Sequence, residues 1–216
     1  RRPSRLLRFA ERRNVAMADA LVAVSRHIGA TTLHALGLDG LKFQVIYNGV
    51  DAELFRPLPV EKDPLEVLYV GSMTRRKGIP DLLAAVPFVT REIPEARFTI
   101  VGRLPQRVNG HDPAETLLAP LARNLRNRVS FIGPVPHTAL PTHYCRAAVA
   151  VFPSRAEAFG LTCAEAMACG AALVMTSLGS GPELVEHEDC GLLADPRSPE
   201  ELAAAIVRLL KNPGLR

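Results

Sequence analysis

From residue 65 onward, short apolar runs alternate with longer stretches of mixed polarity. "LEVLYV", "ARFTIV", "RVSFI", "AVAVF" and "AALVM" are short and rich in Val, Ile and Ala, and each predicts a strand. The intervening segments 80–92, 114–125, 137–146 and 161–169 have helical length. Strands that are apolar almost throughout belong to a sheet buried on both faces, and regular strand-helix succession makes that sheet parallel. The prediction is an α/β fold, a doubly wound parallel sheet of Rossmann-like type. "RSPEELAAAIVRLL" closes it with a helix that has Ser198 as N-cap, Pro199 in the first helical position and Glu201 three beyond the cap.

The first 50 residues have a different texture. "DALVAVS" predicts a strand, "RHIGATTLHALG" a helix ending at Gly37, and "FQVIYNGVD" a second strand running into an Asn-Gly turn. "AELFRPLPVEKDP" follows, and its three prolines and mixed charges mark a linker. A domain boundary therefore falls within 49–64, dividing residues 1–50 from 51–216. Two strands and a helix or two cannot bury a core alone, so residues 1–50 read as the trailing end of another domain.

Of 216 residues 48% are hydrophobic and 22% charged, the balance of a soluble globular protein, and no run reaches the roughly 18 apolar residues of a membrane span. The formal net charge is +4, and residues 1–13 carry six arginines against one glutamate, so the basic excess is one short tip. A nucleic-acid binder spreads its basic stripe over a folded surface, and this distribution argues against that partner. Leu6, Leu7 and Phe9 interleave with the arginines; the tip is a solvated surface helix on the simpler reading, and a peripheral contact for anionic lipid on the other. Cys145, Cys163, Cys169 and Cys190 show no CxxC spacing and no accompanying histidine cluster. They read as small buried hydrophobes in a reducing compartment, hence a cytoplasmic protein, or one at the cytoplasmic face of a membrane if the tip binds lipid. The chain opens with neither an initiating Met nor an apolar leader, as expected of a piece of a longer one.

Ligands of open parallel sheets bind beyond the carboxyl ends of the strands, which singles out three loops. "VLYVGSMTRRKGIPDLLAA" places Gly71, Arg75, Arg76, Lys77 and Gly78 between a strand and a helix. Glycine lets a ligand approach the backbone, and neighbouring cations suit a phosphate or diphosphate; a solvated basic turn is the alternative. It is not a Walker loop, because the lysine precedes its glycine and no Ser or Thr follows. In "SRAEAFGLTCAEAMACG", Glu157 precedes a helix start near Gly160 and Glu165 falls in the second turn. The unpaired N–H groups of Gly160, Leu161 and Thr162 and the helix dipole favour an anion, and carboxylates accept hydrogen bonds from vicinal hydroxyls. A ligand with diols and a phosphate satisfies both. Glu157 alone is also explained as an exposed anion near the dipole, whereas Glu165 stands among small and apolar residues, where a carboxylate needs a partner. "TSLGSGPELVEH" supplies Gly179, Ser180 and Gly181; Leu184 replaces the third glycine of a dinucleotide fingerprint, which disfavours nicotinamide and flavin cofactors and leaves a small-residue wall.

"DALVAVS", "VIYNGVDAELFRP", "YVGSMTRRKGIPDLLAA", "ARFTIVG", "RVSFIGPVP", "VFPSRAEAFGLTCAEAMACGAALV" and "GSGPELVEHEDCGLLADP" stand in an order that covers nearly the whole chain. In that order they resemble retaining glycosyltransferases of the GT-B fold, in particular the sugar-nucleotide-dependent group 4. The most specific piece is Glu157, seven residues, Glu165. The resemblance implies two Rossmann-like domains facing across a cleft, with residues 1–50 the end of an N-terminal acceptor domain and 51–216 the C-terminal domain that holds a nucleotide-diphosphate sugar. It implies that Lys77 neutralises the diphosphate and Glu157 contacts the donor sugar, both as catalytic groups. Glu165 grips the ribose, amides around Phe159, Gly160 and Leu161 serve sugar and phosphate, and Gly71, Ser72 and Arg76 complete the phosphate loop. The base lies along Gly133 to Pro136, including Val135. No metal or other cofactor is implied, and no Asp-x-Asp pair suggests one. The acceptor is a sugar, a lipid or a small molecule.

Ser72 departs from the family, which commonly has arginine right after the glycine of the first loop; Arg75 or Arg76 takes that charge over. Without the rest of an acceptor domain, residues 1–216 are expected to bind donor without transferring the sugar. Two alternatives stay open: a GT-B sugar-nucleotide epimerase or phosphorylase, the latter short of a lysine in a context suited to pyridoxal phosphate, and a non-catalytic nucleotide-sugar-binding module.

Overall fold

A computed structural model of the chain describes residues 5–105 and 112–216, which divide into two compact units, Arg1–Gly49 and Val50–Arg216. In the first unit the arginine-rich start folds as α1 (Arg5–Ala16), with Leu6, Leu7 and Phe9 exposed; the first two arginines lie outside the described residues. β1 (Val22–Ala23) and β2 (Gln44–Val45) pair in parallel on either side of α2 (Arg26–Leu36) in the chain. The hydroxyl of Ser25 caps α2 by accepting the Ile28 N–H, and Gly37 ends it in the left-handed conformation. Both strands are much shorter than the apolar runs predict. A ladder extends only as far as its partner does, and two register pairs are all that β1 and β2 share.

The second unit runs β3 (Asp63–Val70), α3 (Ile79–Glu92), β4 (Arg97–Val101), α4 (Pro113–Leu118), α5 (Arg123–Arg126), β5 (Val129–Gly133), α6 (Leu140–Arg146), β6 (Ala147–Phe152), α7 (Leu161–Ala168), β7 (Leu173–Thr176), α8 (Gly181–Leu184), β8 (Leu192–Ala194) and α9 (Pro199–Lys211). Its six strands are parallel in the order β5-β4-β3-β6-β7-β8, the doubly wound sheet expected. Successive residues of β3 face opposite sides. Val67 and Tyr69 join the core under α3 and α9, while Leu68 and Val70 join the one formed with α6 and α7. Burial on both faces is why the inner strand β6 is apolar at every position, whereas the edge strand β5 carries an exposed Ser130. α9 begins as predicted: the Ser198 hydroxyl accepts the Glu201 N–H, while the Glu201 carboxylate reaches past the cap to the N–H of Asp195.

Four sequence readings need correction. Segment 114–125 is two short helices, α4 and α5: Pro120 between them offers no N–H to continue the helix, and the chain is non-helical at Ala122 (φ −57°, ψ 144°) before α5 starts. Segment 137–146 opens with a 3-10 turn, His137–Ala139, before α6, whose second residue is Pro141. The proline-rich stretch after residue 51 is no free linker: Phe55 is 2% exposed, and Leu58 and Val60 pack on the same core. Of the four cysteines, Cys190 is exposed; the other three are buried, and burial pushes the Cys163 thiol well above its ordinary range. β8 escaped the sequence reading because three residues are too few to show a period.

Among the described residues no helix is long and apolar enough to cross a membrane.

Close approach of the loops after β3 and β6 rests on one glycine. Gly78 has φ +76°, and a Cβ there would lie 1.8 Å from the carbonyl oxygen of Pro153. Gly133 also has positive φ, +83°, but open space around it. Gly133→Ala therefore carries only the left-handed strain, about 1–2 kcal/mol, whereas Gly78→Ala adds backbone displacement and loses about 3 kcal/mol or more. Urea unfolding of both variants checks this, and equal losses would show that the two loops are not locked together.

Candidate functional site

Strand order reverses between β3 and β6, and the loops leaving these neighbours meet there. After β3, the Gly71 N–H donates to the Val101 carbonyl at 3.0 Å and the Tyr69 hydroxyl donates to the Ser72 carbonyl at 2.8 Å. Burial, then the nearby Glu157 charge, pushes the Tyr69 phenol upward, so it stays a donor. Thr74 caps the 3-10 turn Arg75–Lys77, its hydroxyl accepting the Lys77 N–H at 3.3 Å. From the other side, the Arg155 N–H donates to the Arg76 carbonyl at 2.9 Å, and the Arg155 guanidinium grips Asp81, in the first turn of α3, through two bonds of 2.6 and 2.7 Å. That fork-to-fork pair keeps Arg155 more basic than usual and staples the β6 loop to α3.

So held, Lys77 reaches across the reversal: its Nζ lies 2.8 Å from Glu157 Oε2. Glu157 is only 9% exposed and is tied on every side. Oε2 also accepts the Ser154 hydroxyl at 2.9 Å, and Oε1 accepts the Ala158 N–H at 3.2 Å. Its carbonyl receives the N–H and hydroxyl of Ser180, at 3.3 and 3.2 Å. Gly179 (φ +65°) makes that possible, since a Cβ there would stand 2.8 Å from the same carbonyl oxygen. The small-residue loop after β7 is thus a backbone clamp on Glu157.

Two turns later the second acid has different partners. α7 starts after Gly160, left-handed at φ +101°; the Gly160 carbonyl accepts the Cys163 and Ala164 N–H groups, and the amides of half-exposed Leu161 and of Thr162 precede these first helical bonds. Phe159 is buried against the core. Glu165, 4% exposed, accepts from His137 Nε2 at 2.9 Å on Oε1 and from the Tyr144 hydroxyl at 3.3 Å on Oε2. His137 leaves the loop that contains Gly133 and Val135, and Val135 packs partly buried on the core of α6 and α7. The ring of Phe55 meets His137 edge-on at 4.9 Å.

Of the residues singled out in the sequence, Lys77, Glu157 and the start of α7 come together, and Glu165 lies on the same helix with separate partners. The side chains of Ser72 and Arg76 are exposed, and Arg76 joins the site through its carbonyl. Ser154, His137 and Tyr144 were not foreseen, and Ser180 was marked only as part of a small-residue wall. His137 directly follows the "GPVP" loop and Ser154 ends the strand run "VFPS", so both signals lay beside residues already marked. Among the described residues, no group of three or more His, Cys, Asp or Glu is arranged to hold a metal ion.

Residues 50–216 match the family model described as glycosyl transferases group 1. The chain belongs to this family. An uncharacterized glycosyltransferase of Methanocaldococcus jannaschii is 34% identical over 188 residues, 81% of this chain and 46% of that protein. Sucrose-phosphate synthase from Thermosynechococcus elongatus, a solved structure, superposes with a TM-score of 0.83 at 32% identity over 99% of this chain and 54% of that one. HepE of Anabaena, solved in complex with UDP, gives a TM-score of 0.72 at 26% identity over 92% of this chain and 56% of that one. The fold is that of GT-B glycosyltransferases. The chain spans about half the length of these relatives.

A group 1 glycosyltransferase domain that buries an acid against a lysine should couple the two energetically. Lys77→Met leaves the Glu157 carboxylate without its cation and costs about 2–3 kcal/mol, less than a fully buried pair because Lys77 is partly solvated. Adding Glu157→Gln removes the unpaired charge and recovers most of the loss. Urea denaturation of the four proteins of the cycle measures this; simple additivity would mean the pair is not a pair in solution.

Proposed function

We propose that residues 50–216 bind a nucleotide-diphosphate sugar, and that the parent enzyme is a retaining group 4 transferase that passes the sugar to an acceptor hydroxyl. One observation carries the reading: a lysine and a carboxylate are brought within 2.8 Å where strand order reverses, beside the open start of a helix. That crevice is where doubly wound sheets receive phosphorylated ligands. The helix start and Lys77 offer amides and positive charge to the diphosphate, Glu157 accepts hydroxyls of the sugar, and Glu165 accepts those of the ribose. The 26%-identical relative solved with UDP supports a nucleoside diphosphate as the common part of the ligand.

The chemistry follows from the same placement. Breaking the anomeric bond leaves negative charge on the diphosphate, and a fixed donor aimed at such charge lowers a barrier by about 2.7–4 kcal/mol. This reading assigns that task to Lys77 and the α7 amides, so no metal is called for. Family membership of the chain favours transfer over epimerisation. Donor and acceptor stand on different parts of the parent protein in this reading, so residues 1–216 bind donor and transfer little.

A saturating nucleoside diphosphate should raise the melting temperature of the chain, since at about 100 times Kd selective binding adds about 2.7 kcal/mol to stability. Glu165→Ala should abolish the shift, and the exposed control Glu95→Ala should keep it. Absence of any shift with millimolar UDP, ADP or GDP would falsify the donor reading for this chain.

A further inference from the structure

Glu165 is held by two donors of opposite character. The Tyr144 side chain is fully buried in the core between the sheet, α6 and α7, and its hydroxyl faces Oε2. His137 is at the surface: its side chain is 60% exposed against 5% for Glu165, and it faces Oε1. A hydroxyl arriving from solvent therefore meets the acid on the imidazole's side, and the phenol stays behind it. We propose that Tyr144 is a positioning residue, which pins Oε2 of Glu165 so that Oε1 is presented to the ribose diol of a nucleotide. This rests on the donor reading above and adds how the ribose acid is kept in place.

Three observations support it. A carboxylate at the end of a flexible chain rotates freely unless one oxygen is fixed, and a ribose diol needs both acceptor directions in register. Tyr144 is itself fixed: its ring is enclosed by the core and lies 6.3 Å from that of Phe55, which in turn backs His137. Its phenol is pushed far upward, first by burial and then by the charge of Glu165, so the group remains a donor whatever the pH of an assay. The imidazole of His137, by contrast, gives up one solvent-exchangeable hydrogen bond when a hydroxyl replaces it. The buried partner fixes the acid, and the exposed one is exchanged.

The test compares wild type and Tyr144→Phe by calorimetry, using whichever of UDP, ADP or GDP binds wild type and the 2′,3′-dideoxy form of the same nucleotide. Tyr144→Phe should weaken the ribonucleotide about tenfold, the scale of a lost hydrogen bond to a charged group, and change the dideoxy nucleotide less than about twofold. Equal loss with both ligands would mean that Tyr144 only supports the fold, and no loss with the ribonucleotide would mean that Glu165 needs no pin; either overturns the inference while the donor reading stands. If wild type binds none of the nucleotides, the donor reading itself fails and the inference with it. Should Tyr144→Phe not fold, wild type labelled with 13C at tyrosine Cζ decides: the hydrogen-bonded Tyr144 signal should persist on saturation with the nucleotide, and its loss would overturn the inference.

Discussion

The Lys77–Glu157 pair is the contact on which the rest of the site depends. Taking a carboxylate and an ammonium out of water costs several kcal/mol each, and their attraction repays it only when geometry and extra hydrogen bonds are good. Here the carboxylate accepts from three donors, the Lys77 and Ser154 side chains and the Ala158 backbone amide, with a further clamp on the carbonyl of Glu157. Every one of these comes from a loop at the carboxyl end of a strand. The pair thus ties β3, β6 and β7 together at the edge where their side-chain packing ends.

Such a contact demands a rigid frame, and the frame is built from small residues and backbone. Gly78 lets the first loop touch Pro153, Gly179 lets the third touch Glu157, and Gly102 approaches the carbonyl of Gly71 in the same way, where a Cβ would come within 1.9 Å. Below them the apolar strands lock the sheet from both faces. At the opposite end of the sheet a second ionic cluster, Asp63 with Arg97 and Glu66 with Thr99, closes the strand starts. Asp63 pays the desolvation that burial imposes, yet the Arg97 fork and the Leu65 amide hold its carboxyl below the usual range. That end is satisfied within itself, whereas at the carboxyl end α7 begins with the amides of Leu161 and Thr162 ahead of its first helical bonds.

Much of this was legible in the chain. The sheet was visible because burial on both faces forces unbroken apolar runs, as in "AVAVF", and the helix starts because Ser198 and Pro199 act through local geometry. The glutamates drew notice because acids among apolar residues need partners, and Glu165 proved to have two. The partners themselves were illegible. Tyr144 lies 21 positions from Glu165 and Lys77 lies 80 from Glu157, and no local period encodes a contact at such separation. Phe55 misled for a related reason: the prolines that follow it, Pro57, Pro59 and Pro64, announce a linker, and only the third dimension shows its ring packing on His137 and near Tyr144. The long apolar runs in residues 1–49 misled too, since strand length there is set by the partner strand and not by propensity.

The ion pair has a consequence for ligand choice on the donor reading. A diphosphate that takes Lys77 draws it away from Glu157, and a 9%-exposed carboxylate then loses its cation. Ser154 and the Ala158 amide remain, but they are neutral donors and do not balance a buried charge. At Lys77 a nucleoside diphosphate without a sugar therefore only exchanges one charge contact for another, and its binding rests on the ribose at Glu165 and the amides at the start of α7. The intact donor brings hydroxyls to the acid as its phosphates engage the lysine, so both halves of the separated pair are satisfied at once. Discrimination between donor and spent nucleotide then arises from the site's own unpaired acid, and the binding energy of the sugar is used to hold Lys77 on the charge that grows when the anomeric bond breaks.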